Sequence, residues 1–183
     1  MFNRLFALII FIVLIPVFVI VALVIFIEDG FPIYFKQKRV GVNYTFFNIY
    51  KFRSMKKNTP NVATHLLERP DLYLLKIGKF IRKTSLDELP NLINIIKGEM
   101  VFVGPRPALY NQDDLMTLRV AIGVDKLKPG ITGWAQINGR DAISIEKKVQ
   151  LEKDYLYKKS IFFDIKIIIK TFMNVLFSKG VSH

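Results

Sequence analysis

A long apolar run occupies the start of the chain. Positions 5–27 hold 23 consecutive residues without a charge, a hydroxyl, an amide or a glycine. At about 1.5 Å per residue, a helix of this length reaches across a hydrocarbon core of roughly 30 Å. Signal peptides carry shorter apolar segments of about 7–15 residues, and the acidic pair Glu28-Asp29 stands where a cleavage site of small residues is expected. The pattern therefore predicts a retained membrane anchor.

Pro16 lies near the middle of this run and leaves its topology open. Proline removes a backbone donor and bends or breaks a helix, but kinked helices still span membranes because neighbouring groups satisfy the freed backbone. Lys36, Lys38 and Arg39 follow the run, whereas Arg4 precedes it. This charge bias places the downstream chain in the cytoplasm. A re-entrant helix that turns at the proline and returns both ends to the cytoplasmic face is the alternative.

Beyond the apolar run, short β-like segments give way to helical periodicity. Two runs, 33–38 and 46–52, flank the turn signal Gly41-Val42-Asn43 and predict a β-hairpin. Glycines and prolines mark 101–107 as a loop and 129–139 as a loop or hairpin. Apolar residues at helical spacing predict α-helices over 71–82, 89–97, 115–124, 144–159 and 164–177.

The last predicted helix carries a distinct polar stripe. Lys166, Lys170 and Asn174 recur every four residues within a largely apolar segment, so they lie on one narrow side of the helix. A wide apolar face beside lysines is typical of a helix that lies in the membrane interface. A core helix with one solvated edge produces the same pattern, and both interpretations stay open at this point.

Composition narrows the chemistry of the chain. Its 183 residues include 27 Lys and Arg, 15 Asp and Glu and no Cys, so the net charge is +12. Disulfide scaffolds, thiolate metal sites and cysteine nucleophiles are excluded, and His65 and His183 alone offer imidazoles for a catalytic triad. The positive charge favours an anionic partner: a membrane surface, a nucleic acid or a phosphorylated substrate.

Two adjacent carboxylates, Asp87 and Glu88, stand shortly before Pro90. Proline is tolerated in the first turn of a helix, so we expect this helix to begin close to Asp87. Adjacent helical residues point about 100° apart, which allows one carboxylate to face a reacting phosphorus while the other holds a divalent cation. Mg²⁺ prefers oxygen ligands, and one Glu with substrate phosphates suffices to bind it. A capped helix start is the alternative, although Arg82 and Lys83 crowd the same segment.

Cations and amides recur in three further segments. Two prolines stiffen the backbone around Arg106, whose planar guanidinium matches a phosphate. Gln136 and Arg140 offer donors within a glycine-rich stretch. Lys51 and Arg53 alternate with aromatic residues and share one face of a predicted strand. Walker, Gly-x-Gly-x-x-Gly and Asp-x-Asp motifs are absent from the sequence, so a phosphate-handling site here has a different design.

Five ordered motifs resemble those of the bacterial sugar transferases, and more narrowly those of the small monotopic phosphoglycosyl transferases that start glycan assembly on a polyprenol carrier. The resemblance covers essentially the whole chain. The motifs are Gln37-x-Arg39-x-Gly41, Tyr50-Lys51-Phe52-Arg53-Ser54-Met55, Ser85-Leu86-Asp87-Glu88-Leu89-Pro90, Gly104-Pro105-Arg106-Pro107, and Lys128-Pro129-Gly130-Ile131-Thr132-Gly133 with Gly139-Arg140.

The resemblance implies a reaction and its residues. A UDP-sugar donates its phosphosugar to polyprenol (undecaprenyl) phosphate, which yields polyprenol-diphosphate sugar and UMP. Asp87 is implied as a nucleophile that forms an acyl-phosphate intermediate, Glu88 as the ligand of Mg²⁺, and Arg82 as the residue that orients both. The implied substrate-binding residues are Arg106 and Arg140 for phosphate, Gln136 near the nucleotide, and Lys51 and Arg53.

The resemblance also implies a fold and a location. We expect an α+β, predominantly helical chain with a re-entrant anchor over 1–29 that breaks at Pro16, although Ile15 replaces the serine often found before this proline. Residues 30–183 are expected to form the catalytic domain, with a small β-hairpin and amphipathic interfacial helices around the active site. This domain is expected at the cytoplasmic face of the bacterial inner membrane, against anionic lipid. Homo-oligomers are left open.

Two alternatives to this mechanism stay open. Asp87 acts as a general base in a ternary complex, or the chain is a non-enzymatic binder of acidic lipid or nucleic acid, which the charge alone supports. The sequence contains no motif typical of nucleic-acid binding, so no nucleic acid partner is expected. Residues 61–67 and Trp134 resemble those of relatives that act on 6-deoxy-N-acetylhexosamine donors.

Overall fold

The computed structural model describes residues 2–60, 69–139 and 143–177 of the chain. Over these residues the fold is α+β and mostly helical, which confirms the predicted class. The helices are α1 (Phe2–Val13), α2 (Ile15–Asp29), α3 (Lys76–Lys83), α4 (Asn91–Lys97), α5 (Asp113–Ala121), α6 (Trp134–Ile137), α7 (Ile145–Lys158) and α8 (Ile161–Leu176). The strands are β1 (Tyr34–Val40), β2 (Phe46–Phe52), β3 (Val101–Val103) and β4 (Gly130–Thr132).

The predicted β-hairpin is confirmed. β1 and β2 pair antiparallel, with Tyr34 opposite Phe52 and Val40 opposite Phe46. This register leaves Lys51 one residue before the end of β2, on the strand that packs against α4.

The loop predictions for 101–107 and 129–139 are wrong at their starts. β3 and β4 pair in parallel, with Val101 opposite Gly130, and α6 follows β4 where a hairpin was one expectation. Strands of three residues are too short to show alternation in a sequence. Glycine permits this pairing, because a Cβ on Gly130 would lie 2.1 Å from the Gly104 nitrogen.

Helix α3 begins later than the periodicity predicts. Pro70–Tyr73 forms a separate 3₁₀ turn, and the helix starts at Lys76. The exposed N-terminal donors of α3 are satisfied from outside the helix, since the Glu28 carboxylate accepts hydrogen bonds from the Lys76 and Ile77 nitrogens at 2.5 and 3.2 Å. The bounds of α5, α7 and α8 differ from the predictions by one to three residues at each end.

We expected the two adjacent carboxylates in the first turn of an α-helix, and this prediction is wrong. Asp87 and Glu88 belong to their own 3₁₀ turn, and α4 begins at Asn91 with Pro90 as its N-cap residue. Pro90 lacks the N–H that would join the two segments into one hydrogen-bonded ladder. The turn also starts from a left-handed residue, Ser85, with φ of 57°.

The apolar N-terminal run folds into two helices. α1 and α2 meet at Leu14 with a bend of 61°, and Pro16 lies in the first turn of α2, where its missing N–H is tolerated. No single helix within the described ranges is long and apolar enough to cross a membrane, whereas the bent pair passes the same test of length and composition when both helices are taken together.

Both ends of this helix pair are attached to the rest of the fold. α1 buries Ala7 against β2 and α4, and α2 buries Ile25 against β2 and α3. Near the start of α1, the Arg4 Nε donates to the Ile96 carbonyl at 2.7 Å. At the end of α2, Glu28 caps α3. The first and last turns of the pair therefore contact one body.

Gly78 is the point of closest approach between α3 and the segment after β2. A Cβ at this position would lie 2.1 Å from the Ser54 carbonyl oxygen. Replacing glycine by alanine at a compatible site stabilises by about 0.4–1 kcal/mol, but we expect Gly78→Ala to destabilise by roughly 1–3 kcal/mol, the usual cost of overpacking. The measurement is the thermal unfolding midpoint in detergent, with the exposed neighbour Lys79→Ala as control. An unchanged or higher midpoint contradicts this expectation.

Candidate active site

Side chains from three separate segments meet at one site. Lys51 comes from β2, Asp87 and Glu88 come from the 3₁₀ turn before α4, and Arg106 comes from the loop after β3. The Lys51 Nζ lies 2.6 Å and the Arg106 Nη1 lies 3.6 Å from the Glu88 Oε1. The fold thus brings together four of the residues that the sequence singled out.

Asp87 is the buried member of this group, with 8% of its surface exposed. Burial is the largest influence and raises the pKa of Asp87 to about 6. Lys51 opposes this increase and Glu88 adds to it, while Arg82 and Arg106 lower the pKa further. At pH 7 the carboxylate form therefore dominates by roughly ten to one. The site holds a desolvated carboxylate that is nevertheless ionised at neutral pH.

Glu88 lines a cavity whose polar wall is mainly basic. The cations of this wall are Arg39, Lys51 and Arg106, against the single carboxylate of Glu88. An excess of cations in a recess favours a ligand with several negative charges. The apolar part of the lining consists of Ile49, Met100, Pro107 and Ile131, together with Gly130.

Asn91 lines the same cavity and was not singled out from the sequence. The residue is 4% exposed, and its Oδ1 has no hydrogen-bond partner among the described residues. Leaving a buried acceptor without a partner costs about 1–3 kcal/mol, so such an oxygen favours a ligand or ion that meets it. Asn91 follows Glu88 by three positions, and both residues line the cavity. An amide after a helix-starting proline carries no signal of this role.

Asn94 sets the position of Lys51 and was also missed. It is fully buried, and its Oδ1 accepts from the Tyr50 nitrogen at 3.2 Å. Its Nδ2 donates to the Asn48 carbonyl and to Glu99 Oε2, both at 2.7 Å. Because Tyr50 directly precedes Lys51, this one amide fixes the strand end that carries the lysine. The signal in the sequence was an amide in the middle of an apolar helix.

Arg53 does not join the site. It is buried, and its guanidinium pairs with the Asp29 carboxylate and donates to the Gly30 carbonyl at 2.7 Å. The alternation that placed Arg53 on the face of Lys51 does not hold, because β2 ends at Phe52. Arg53 instead fastens the end of α2 to the hairpin, away from the lining of the cavity.

Three other predicted residues have different surroundings. Arg82 lies near the carboxylates, since its charge lowers the pKa of Asp87. Gln136 lies in α6 beside Gly133 and outside the lining of the cavity, with both amide atoms buried and without a partner in the described part of the chain. Arg140 lies outside the described residues.

A family comparison agrees with the motifs. The family model described as bacterial sugar transferase matches residues 1–178. The chain therefore belongs to this family. The match includes the 3₁₀ turn with its two carboxylates, the lysine of β2 and the arginine loop after β3.

Individual relatives give the same result. The chain is 44% identical over 160 residues to a Bacillus subtilis protein named as an uncharacterized sugar transferase, EpsL. The aligned region includes 87% of this chain and 78% of that protein. It is 38% identical over 163 residues to the UDP-glucose:undecaprenyl-phosphate glucose-1-phosphate transferase of Escherichia coli, with 85% of this chain and 35% of that protein covered. It is 34% identical over 170 residues to the UDP-N-acetylgalactosamine-undecaprenyl-phosphate N-acetylgalactosaminephosphotransferase of Aeromonas hydrophila, with 90% and 40% covered. The chain thus spans well under half of these two larger relatives.

Proposed function

We propose that the chain transfers a phosphosugar from a UDP-sugar to undecaprenyl phosphate or a similar polyprenol phosphate, as the first membrane step of glycan assembly. The products are polyprenol-diphosphate sugar and UMP. The names of the E. coli and A. hydrophila relatives describe transfers of this type. The observation that carries the proposal is the buried carboxylate of Asp87 beside Glu88, Lys51 and Arg106. Cations around a desolvated carboxylate neutralise the charge that otherwise repels it from a diphosphate.

The proposed reaction proceeds in two displacements. A carboxylate oxygen of Asp87 attacks the phosphorus that carries the sugar, the bond from that phosphorus to the bridging oxygen breaks, and UMP leaves. The resulting acyl phosphate is attacked by a phosphate oxygen of the polyprenol phosphate, which releases the carboxylate. Lys51 and Arg106 hold the phosphates during both steps, and Arg82 orients the carboxylate. Covalent catalysis divides one transfer between two anions into two easier steps.

The oxygen ligands at the site fit a magnesium ion. Within the described ranges no group of three or more His, Cys, Asp and Glu side chains is suited to a metal, so in this proposal the ion would need oxygens of the diphosphate besides those of the protein. Glu88 and Asn91, which both line the cavity, are the residues whose side-chain oxygens would hold the ion. A Mg²⁺ ion held by these residues would supply positive charge to offset that of the diphosphate and of the leaving UMP.

The pKa of Asp87 predicts an acidic limb in the pH profile. Burial raises the pKa to about 6, and the protonated acid does not attack, so kcat/KM for the UDP-sugar is expected to fall about tenfold per pH unit below that value. Lys51→Met removes a cation that lowers this pKa, and its limb is expected at higher pH. UMP release across the pH range measures both, with exposed Lys79→Met as control. A limb that stays in place in Lys51→Met contradicts the assignment.

The alternative mechanism has Asp87 as a general base in a ternary complex. It differs from the two-step route in what forms when the acceptor, polyprenol phosphate, is left out. We expect a UDP-sugar labelled at the β-phosphorus to leave label on the protein and to release one equivalent of UMP before any polyprenol phosphate is added. The measurement is the intact mass of the acid-quenched protein in nanodiscs. Release of UMP that strictly requires acceptor, without label on the protein, supports the ternary complex instead.

We infer that the bent helix pair is a re-entrant anchor. Arg4 at its start and Glu28 at its end both contact the catalytic body, so both ends lie on one side of the membrane in this proposal. Lys36, Lys38 and Arg39, which follow the pair closely, favour the cytoplasmic side of a bacterial inner membrane. The chain has no native Cys, which permits a single reporter at Phe2→Cys. We expect an impermeant maleimide to label it only after lysis. Labelling in intact cells contradicts the re-entrant anchor and supports a helix that spans the membrane.

Helix α8 supports a body that lies in the interface. Ile167 is its one fully buried residue among those described, whereas Phe162 is 85% and Phe172 63% exposed. A core helix with one solvated edge buries a wider apolar face than this. With Lys166 and Lys170 on the same helix, α8 suits an anionic lipid surface, which supports the proposal that the cavity lies near the headgroups.

The donor sugar is a further part of the proposal. Residues 61–67 lie outside the described residues, and Trp134 packs against Phe163 at a tilt of 50°, with ring centroids 4.9 Å apart, instead of lining the cavity. These features give no added support to a 6-deoxy-N-acetylhexosamine donor. A panel of UDP-sugars with glucose, galactose, N-acetylgalactosamine and 6-deoxy-N-acetylhexosamine groups, scored by UMP release, tests both the reaction and its sugar. If none of these UDP-sugars releases UMP, the proposed function is overturned.

A further inference from the structure

We propose that a buried ion pair between α5 and α7, Arg119 with Glu152, is a positioning device for Arg106, the phosphate-binding arginine of the proposed function. The Arg119 Nη2 donates to the backbone carbonyl of Arg106 at 2.9 Å. The same guanidinium is held by Glu152 through Nε at 2.8 Å and Nη2 at 2.5 Å. The side chains of the pair are only 6% and 2% exposed.

The Arg106 loop depends on its carbonyls to hold its shape. Pro105 and Pro107 have no N–H, so two of the four residues in the motif donate nothing. The carbonyls instead accept from four different groups in other parts of the fold. The Pro105 carbonyl accepts from the Gly130 nitrogen at 2.9 Å, that of Arg106 from Arg119, that of Pro107 from Arg39 Nη1 at 3.1 Å, and that of Ala108 from the Val40 nitrogen at 3.0 Å.

Arg119 is the donor of this series that a buried carboxylate holds in place. Two other donors are backbone nitrogens of strands, and the third, the Arg39 side chain in β1, is held by the neutral Gln37 Oε1 at 2.5 Å. Arg119 reaches the loop from a helix, and Glu152 supplies both its counter-charge and its orientation. A buried ion pair contributes little net stability compared with apolar residues of similar volume. Its specific contribution here is a fixed donor under the phosphate-binding arginine.

Arg119 acts through Arg106 and not on the substrate. It is absent from the lining of the cavity that holds Glu88 and Lys51, and it borders a separate recess behind the loop, next to Pro105 and Met116. Without the Arg119 donor, the Arg106 backbone loses one of its fixed points, and its guanidinium is less restricted to the region 3.6 Å from Glu88. Weaker binding of phosphate follows, because more freedom is lost on binding.

A double substitution separates this role from stability. Arg119→Met with Glu152→Leu replaces the pair by apolar side chains and avoids leaving one charge buried alone. We expect this variant to fold with a melting temperature near that of the full wild-type chain. We expect its affinity for inorganic pyrophosphate, measured by titration calorimetry, to fall about tenfold, towards that of Arg106→Met. The KM for the UDP-sugar is expected to rise by a similar factor.

Val149→Ala is the matched control. Val149 lies on α7, one turn before Glu152, and belongs to the same apolar cluster as Leu115 and Met116 of α5, but it makes no part of the ion pair. It is expected to lower the melting temperature while pyrophosphate affinity stays within twofold of wild type.

If the double variant folds and binds pyrophosphate like wild type, the positioning role is overturned. If wild type binds pyrophosphate but releases no UMP from any UDP-sugar, the proposed function fails and the positioning role is still decided by the pyrophosphate comparison. If the double variant does not fold, Arg119→Lys decides: pyrophosphate affinity equal to wild type overturns the proposal, and a loss supports it.

Discussion

Asp87→Asn is expected to lower phosphosugar transfer by roughly 10⁴-fold or more, the order of loss that follows removal of a covalent nucleophile. The carboxamide has nearly the same shape as the acid but does not form an acyl phosphate. Asn also keeps the turn around Glu88 intact, so Lys51 and Arg106 retain their partner at 2.6 and 3.6 Å. UMP release from the preferred UDP-sugar, with and without polyprenol phosphate, is the measurement.

The fold of Asp87→Asn is checked through its stability at two pH values. Because burial raises the pKa of Asp87 from 3.8 to about 6, folding favours the protonated acid. The ionised carboxylate therefore opposes folding above pH 6, and this effect disappears as the pH falls below about 4. Asp87→Asn is expected to melt at or above the wild-type temperature at pH 8, with a smaller difference at pH 5.

Exposed Asp114→Asn on α5 serves as the control for replacing one acid by its amide and should leave the activity unchanged. Activity of Asp87→Asn above a tenth of wild type at pH 8 contradicts the assignment of the nucleophile. A variant that loses activity together with its cooperative melting transition is misfolded and does not bear on the nucleophile, so the pH 8 melting curve is recorded on the sample used for UMP release.

The long elements could be predicted because their patterns repeat over many residues. The hairpin and α7 lie within one or two residues of their predicted ranges. β3 and β4 were missed because each has three residues and pairs in parallel with a strand far away in the chain, so neither alternation nor a nearby turn marks them. The break between the carboxylates and α4 was missed because Pro90 fits the first turn of a helix as well as the position before it.

The structure brings Asp87, Glu88 and Arg106 together, as the sequence led us to expect. Two adjacent carboxylates and an arginine between prolines marked them as candidates, and the resemblance to the family implied their roles. The sequence does not give the partner of a charge, and Arg53 shows the consequence, since its alternation with Lys51 predicted a shared face while its guanidinium pairs with Asp29. Asn91, Asn94 and the pair of Arg119 with Glu152 were missed for a related reason. Polar residues on helices usually face water, and only the packing shows that these are buried.

Glu88→Gln is expected to lower transfer by about 100-fold or more at millimolar Mg²⁺, because a metal ion at a phosphate contributes several kcal/mol of charge stabilisation and each 1.4 kcal/mol is a factor of ten. The amide still accepts a hydrogen bond from Lys51, so the geometry of the turn changes little. What is lost is the negative charge that would hold a cation beside Arg106 under the proposed function. Raising the Mg²⁺ concentration is expected to restore part of the activity, and the metal dependence of UMP release measures this.

Glu88→Gln could also lower transfer by changing the ionisation of Asp87, but the expected change in the Asp87 pKa goes in the direction that would preserve activity. Glu88 raises the pKa of Asp87, so its removal lowers that pKa and makes the nucleophile more ionised at low pH. At pH 8 Asp87 is ionised with or without Glu88, so a loss of transfer measured at this pH does not come from protonation of Asp87.

Exposed Glu146→Gln on α7 is the control for removing one negative charge. If Glu88 serves only to balance Lys51 and Arg106, the Mg²⁺ concentration for half-maximal activity stays at the wild-type value in Glu88→Gln. If Glu88 binds the cation, that concentration rises by about tenfold or more, because a carboxylate is a far stronger ligand of Mg²⁺ than an amide oxygen.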